Sequence, residues 1–229
     1  MKKRLFGIFC IVLSLLFCMT ACADHGDSQD NSGQSKTADG SSKTDAMTLA
    51  DGLYITEIFS YSGAYVEDGS NDVCEDICAV RLLNSSAEHY QYLRFSIKTA
   101  DGSEYRFAAS TLFANATMTV LCEDKAPFSD GEIVSSTLDN CAVFQEAPTV
   151  HLETVEITYT DGFINAKNLT NDTLTNVYVY YKNTDDDGFF GGITYRASLG
   201  DIPAGELTQA DSGNIHARSS KVVFVTYDE

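Results

Sequence analysis

Cysteine, histidine and a short acidic run are the residues of this chain whose chemistry depends most on spacing. Cys10 and Cys18 lie in an N-terminal apolar run, Cys22 follows it, and Cys74, Cys78, Cys122 and Cys141 belong to the body of the chain. A nucleophilic cysteine needs a cationic neighbour to lower its thiol pKa, yet Cys74 and Cys78 stand beside Asp72, Glu75 and Asp76. Zinc would need a second close Cys or His pair, and none has that spacing. His25, His89, His151 and His216 are scattered. No Gly-x-Ser-x-Gly elbow, phosphate loop or His-Glu-x-x-His motif accompanies them. These patterns predict no catalytic residue, no metal ligand set and no cofactor. Asn183 to Gly188 reads NTDDDG, the opening of a calcium loop with oxygen side chains before a glycine. Its twelfth position is Thr194, where a bidentate glutamate belongs, so the run reads as an acidic hairpin tip.

What remains for the four body cysteines is disulfide formation. Cys74, Cys78, Cys122 and Cys141 allow three full pairings. On one continuous strand Cys74 and Cys78 would be ~13 Å apart, beyond the reach of a disulfide. They can pair only if Glu75-Asp76-Ile77 makes a turn. A Cys122–Cys141 bridge would tie residues 127–148 to the strands before them.

The elements that would carry this chemistry begin with an export signal. Met1-Lys2-Lys3-Arg4 is a basic head, and the apolar run from Leu5 to Met19 is shorter than the ~20 residues a membrane span needs. That is the order of a secretory signal. Its end, Met19-Thr20-Ala21-Cys22, resembles the bacterial lipobox. The resemblance implies that the Cys22 thiol is acylated, palmitate included, and that Cys22 becomes the mature N-terminus. Each buried methylene of such a chain contributes ~0.8 kcal/mol, and stable anchoring takes more than one chain. An ordinary cleaved signal with an incidental cysteine would instead leave the protein free. Residues 22–48 are almost wholly small and polar, unable to offset their ordering entropy, and read as a flexible acidic tether.

Removing residues 1–21 takes away Lys2, Lys3 and Arg4 and no acid, so the whole-chain charge of −18 becomes −21 over 208 residues. Such a balance excludes nucleic acid and a basic patch on anionic lipid as partners. The body is rich in Tyr, Phe, Thr and Val, has no Trp, and alternates at the period of strands. Leu93, Phe95 and Ile97 fall on one face of a strand from Tyr90 to Lys98, and Asp101-Gly102 turns it back. Val155 and Ile157, then Asp161-Gly162, repeat this arrangement, and Val177, Val179 and Tyr181 form one face of a later strand. A shift of 84 sets Asn84 on Asn168, Ser86 on Thr170, Leu93 on Val177, Phe95 on Val179 and Lys98 on Lys182. Tyr105-Arg106 recurs as Tyr195-Arg196. Val120, Cys122 and Asp124 align with Phe224, Thr226 and Asp228. Glu57 aligns with Glu156 if the first copy carries an insertion that holds Cys74 and Cys78. Repeats of ~80 residues with short strands predict an all-β chain of two tandem immunoglobulin-like β-sandwiches, at residues 49–148 and 149–229.

The second copy carries a further resemblance. Asn176 to Lys182, Gly191 to Arg196 and Pro203-Ala204-Gly205-Glu206 resemble uncharacterised lipoproteins of Gram-positive anaerobes with FxLYD-like, immunoglobulin-like domains. The literal Leu-Tyr-Asp signature is absent. The resemblance implies a fold and a location, and brings no catalytic residue. The expectation is therefore a lipid-anchored extracytoplasmic protein with a non-enzymatic binding role, its partner another envelope protein. The alternative is a ligand-binding accessory lipoprotein of a transporter. Tyr178 and Tyr180, facing away from Val177 and Val179, are the candidate contacts unless a second sheet covers them. We predict that Cys22→Ser releases the protein into the medium or leaves it unprocessed, as fractionation and N-terminal mass would show. Processed Cys22→Ser protein retained on the membrane in undiminished amount would contradict lipidation.

Overall fold

The computed structural model describes residues 46–129, 131–185 and 188–228. Cys22, the tether up to residue 45, and Asp186 and Asp187 of the acidic run lie outside the described residues. The fold is all-β. The strands are β1 (Met47–Ala50), β2 (Leu53–Tyr65), β3 (Asp72–Asn84), β4 (Tyr90–Thr99), β5 (Glu104–Leu112), β6 (Ala116–Leu121) and β7 (Ile133–Val143). They continue with β8 (Val155–Thr160), β9 (Phe163–Asn168), β10 (Leu174–Asp185), β11 (Gly188–Phe190), β12 (Tyr195–Ile202), β13 (Leu207–Asp211) and β14 (Ser220–Asp228). No helix among the described residues is long and apolar enough to cross a membrane.

One pairing pattern occurs twice. In the first half β3 lies between β2 and β6, and β4 lies between β5 and β7. In the second half β9 lies between β8 and β13, and β10 between β12 and β14. Alternation explains the two apolar cores. Leu82, Leu93, Phe95, Phe107 and Met118 turn inward in the first, with Phe95 and Phe107 stacked at 5.0 Å. Ile164, Val177, Val179, Leu199 and Val225 do so in the second. Each such side chain, fully buried, contributes about 1.5–3 kcal/mol.

The pairing corrects two alignments expected from the sequence. β6 beside β3 has its counterpart in β13 beside β9, so Val120 and Cys122 do not correspond to Phe224 and Thr226 of β14. The counterpart of β14 is β7. Similar β-branched alternation in both strands hid the offset. Leu53 faces Asn84 as Val155 faces Asn168, which sets Glu156 on Tyr54 rather than on Glu57. Residues 133–143, ambiguous in sequence, form one strand along β4.

Asn84 and Asn168 show why the repeat is read so clearly at that position. Both are fully buried. The Asn84 amide donates to the carbonyls of Glu88 at 2.8 Å and Phe113 at 2.9 Å, and its oxygen accepts from the Ser86 amide and hydroxyl. The Asn168 amide donates to the carbonyls of Asp172 at 2.7 Å and Ile202 at 2.8 Å, and its oxygen accepts from the Thr170 amide and hydroxyl. Each asparagine thus satisfies the backbone where the chain leaves one sheet for the other.

The halves differ in two extensions. The β2–β3 hairpin runs on to Tyr65 opposite Asp72, whereas β8–β9 ends at Thr160 opposite Phe163. This is the expected insertion, and it carries Cys74 and Cys78 on a strand. The β10–β12 connection is also long, and its β11 pairs in parallel with β6 of the first half. One sheet therefore runs from β1 to β10 across both halves.

Asn168→Asp keeps the shape but replaces a double donor with an acceptor facing two buried carbonyls. We predict a loss of about 2–4 kcal/mol at neutral pH, read as a lower midpoint in urea. An unchanged midpoint would remove the corner from this role.

Candidate functional site

β10 turns Val177, Val179 and Tyr181 into the core of its half, and Tyr178, Tyr180 and Lys182 to the other face. Period-two alternation requires that split. Tyr178 and Tyr180 are half-buried, and their face is not roofed by the partner sheet of the sandwich. Tyr180 stacks on Phe224 of β14 at 4.1 Å with ring planes 15° apart, and Phe144 meets Phe224 edge-on at 6.1 Å. The Arg196 guanidinium lies 4.7 Å from the Tyr178 ring centroid, a cation–π contact. Phe144, Tyr180, Ile193 and Phe224, with Gln91, Ser110, Thr111 and Thr194, line a groove of about 490 Å³. None of the eight is charged, although 21% of the chain is. Aromatic groups with both an apolar body and a polar handle are typical of contact surfaces.

At the end of this face the first half closes over Lys182, which is fully buried. Its ammonium donates to the Ser110 carbonyl at 3.0 Å, to the Gly191 carbonyl, and to the Gly192 carbonyl and Thr194 hydroxyl at 3.4 Å. Glu67, from the β2–β3 loop, supplies the opposing charge. Part of that residue reaches the surface, but its carboxylate is enclosed, with Oε1 accepting from the Leu121 amide at 2.7 Å and the buried Oε2 without a hydrogen-bond partner among the described residues. A Cβ at position 192 would overlap the Glu67 backbone, so the close approach demands glycine there.

Burial sets the protonation of both groups. Desolvation pushes the Glu67 carboxyl up to about 7, opposed by the Leu121 amide and the Lys182 charge. Desolvation brings the Lys182 ammonium down to about 7, opposed by Glu67. A second tie lies nearby. Arg81 on β3 donates to the Thr119 hydroxyl at 2.9 Å and reaches Asp185 of β10 at 3.3 Å and Glu57 at 3.6 Å. Two more cavities flank this seam. One of about 380 Å³ is bordered by Tyr65, Glu67, Tyr92 and Glu123, and one of about 530 Å³ by Tyr61, Asn183, Phe190 and His216.

The other sequence-derived residues are not brought together here. Cys74, Cys78, Cys122 and Cys141 are all free thiols. Cys78 and Cys122 pack in one core, Cys74 in a separate cluster, and Cys141 is exposed on β7. Cys122 directly follows β6 while Cys141 lies on β7 of another sheet, and residues 75–77 lie within β3 rather than in a turn. His89 packs edge-on to Phe113, His151 packs on Tyr227, and His216 borders the cavity of about 530 Å³. Asp185 and Gly188 face each other as a hairpin. Thr194, the would-be twelfth calcium ligand, bonds instead with Thr111 at 2.9 Å. No group of three side chains able to hold a metal ion forms among the described residues.

Glu67 and Arg81 escaped the sequence reading, and Gly191-Gly192 entered it only as part of a resemblance, not as part of a site. The double glycine between two aromatic strands was the available signal. No protein-family model matches the chain, and no curated protein matches it.

The sign of the pH effect follows from the two shifts. Raised in the fold, Glu67 contributes stability below pH 4.5 that is lost as pH rises to about 7. Lowered in the fold, Lys182 contributes stability above pH 10.5 that is lost as pH falls to about 7. We predict that Tm of the wild type, measured against Glu67→Gln/Lys182→Met, passes through a minimum near pH 7. Lys182→Met alone should cost about 3–5 kcal/mol and the double change much less. A maximum near pH 7, or additive losses, would contradict the arrangement.

Proposed function

We propose that this protein is an extracytoplasmic lipoprotein, anchored to the cell membrane through Cys22, that binds another envelope protein and performs no chemistry. The observation that carries the binding role is the uncharged groove with the Tyr180–Phe224 stack on its wall. In an acidic, soluble domain such a surface is where contact with a partner gains most from desolvation. The export signal and the Cys22 motif support the location, and the polar tether supports reach from the membrane surface. We read residues 49–148 and 149–229 as duplicated immunoglobulin-like units, akin to the lipoproteins of Gram-positive anaerobes that the second half resembles.

A second reading, an accessory receptor for a transporter, is favoured by one feature. The three cavities along the seam, of about 380, 490 and 530 Å³, fall in the range of small-ligand sites, about 300–1,000 Å³. Cross-linking separates the readings. A photoreactive amino acid at Tyr180 of the anchored full chain should join one discrete protein, and the same group at Leu207, exposed on β13, should not. No protein adduct at Tyr180, together with a rise in Tm on adding a small molecule, would favour the receptor. Neither result would leave the groove without a binding role.

A further inference from the structure

We propose that Cys78 and Cys122 are the pair of this protein that joins as a disulfide when the chain folds on the oxidising side of the membrane. The proposal rests on the export reading for its setting, and on the β3–β6 ladder for its choice of partners.

Ala79 of β3 faces Leu121 of β6, so the next rung sets Cys78 against Cys122. The Cys122 amide donates to the Cys78 carbonyl at 2.9 Å. The Cys78 amide donates to the Ala126 carbonyl at 3.0 Å, so the two cysteines share one backbone bond. Residues opposite one another on antiparallel strands have Cα atoms about 4.5–5.5 Å apart, within the range that disulfides span. Side chains on one rung share a face. Cys78 and Cys122 both enter the core of the first half, with Val80 and Val120, while Ala79 and Leu121 turn to the opposite cluster. The remaining cysteines are elsewhere. Cys74 is in that opposite cluster with its thiol donating to the Gly63 carbonyl at 3.3 Å, and Cys141 is exposed on β7, in a different sheet from β6.

The setting also gives the bond a purpose. Leu121, which holds Glu67, precedes Cys122, and the Tyr65 hydroxyl donates to the Cys122 carbonyl at 3.1 Å. A bridge at this rung clamps β3 to β6 beneath the Glu67–Lys182 seam. Both thiols are fully buried, and burial, reinforced by Cys122, pushes the Cys78 thiol up, so the folded pair is unreactive. The bond must form while the core is open. One cysteine thiolate attacks a disulfide oxidant, either a dithiol oxidoreductase in its oxidised form or oxidised glutathione. The other then attacks the mixed disulfide. The oxidant leaves as two thiols, having taken two electrons and two protons from the pair.

Full-length protein refolded from urea in mixed reduced and oxidised glutathione, then alkylated and digested, tests the choice of pair. The expected products are a linked Cys78–Cys122 peptide and alkylated Cys74 and Cys141. Reductant in the unfolding buffer should then lower Tm by about 5–15 °C. Alkylated Cys78 and Cys122, or linkage of either to Cys74 or Cys141, would overturn the proposal. Peptide mapping of the protein from its native membrane tests the setting separately. If the refolded protein carries the bond and the cellular protein does not, the pair is right and the export reading fails.

Discussion

Removing one carboxylate and one ammonium from water, at the point where two halves of a chain meet, is the constraint around which the rest of this structure is arranged. Neither charge could be buried alone, since the desolvation penalty for an unpaired ion exceeds any packing gain. Lys182 is therefore surrounded by the carbonyls of Ser110, Gly191 and Gly192. Glu67 takes the Leu121 amide. These partners come from the β2–β3 loop, β5, β6 and the segment before β12. To satisfy them, those elements must be in place together. The groove inherits its geometry from this requirement. Tyr180 lies two residues before Lys182, and Ile193 and Thr194 directly follow the glycines that enclose it.

The repeat explains how such a seam could arise. Lys98, the counterpart of Lys182, is exposed and pairs with Glu104 at 3.3 Å. The same position on β10 is buried only because the other half covers it. The two extensions that do the covering are the features in which the halves differ: the outer β2–β3 hairpin, and β11 with its flanking glycines. The inner parts, fixed by Asn84 and Asn168 at matching corners, stayed alike because each asparagine meets four backbone or side-chain demands that no other residue meets at once.

Much of this was legible in the sequence. Alternation at Leu93–Phe95–Ile97 and Val177–Val179–Tyr181 located the central strands, and Asp-Gly pairs marked both hairpin turns. The outward direction of Tyr178 and Tyr180 followed from the same period. β3 was not legible, because Asp76 at φ +52° interrupts its alternation. β13 is polar, and short, edge strands of that kind carry little hydrophobic signal. The seam was hidden for a different reason. Burial of a lysine is a property of what packs on it, and Glu67 and Lys182 are separated by more than a hundred residues of chain.

The seam makes residues 46–228 melt as one unit despite their two apolar cores. Scanning calorimetry of the full chain at neutral pH tests it directly. A single transition whose calorimetric and van't Hoff enthalpies agree is the expected result. Two resolved transitions, one for each core, would contradict it.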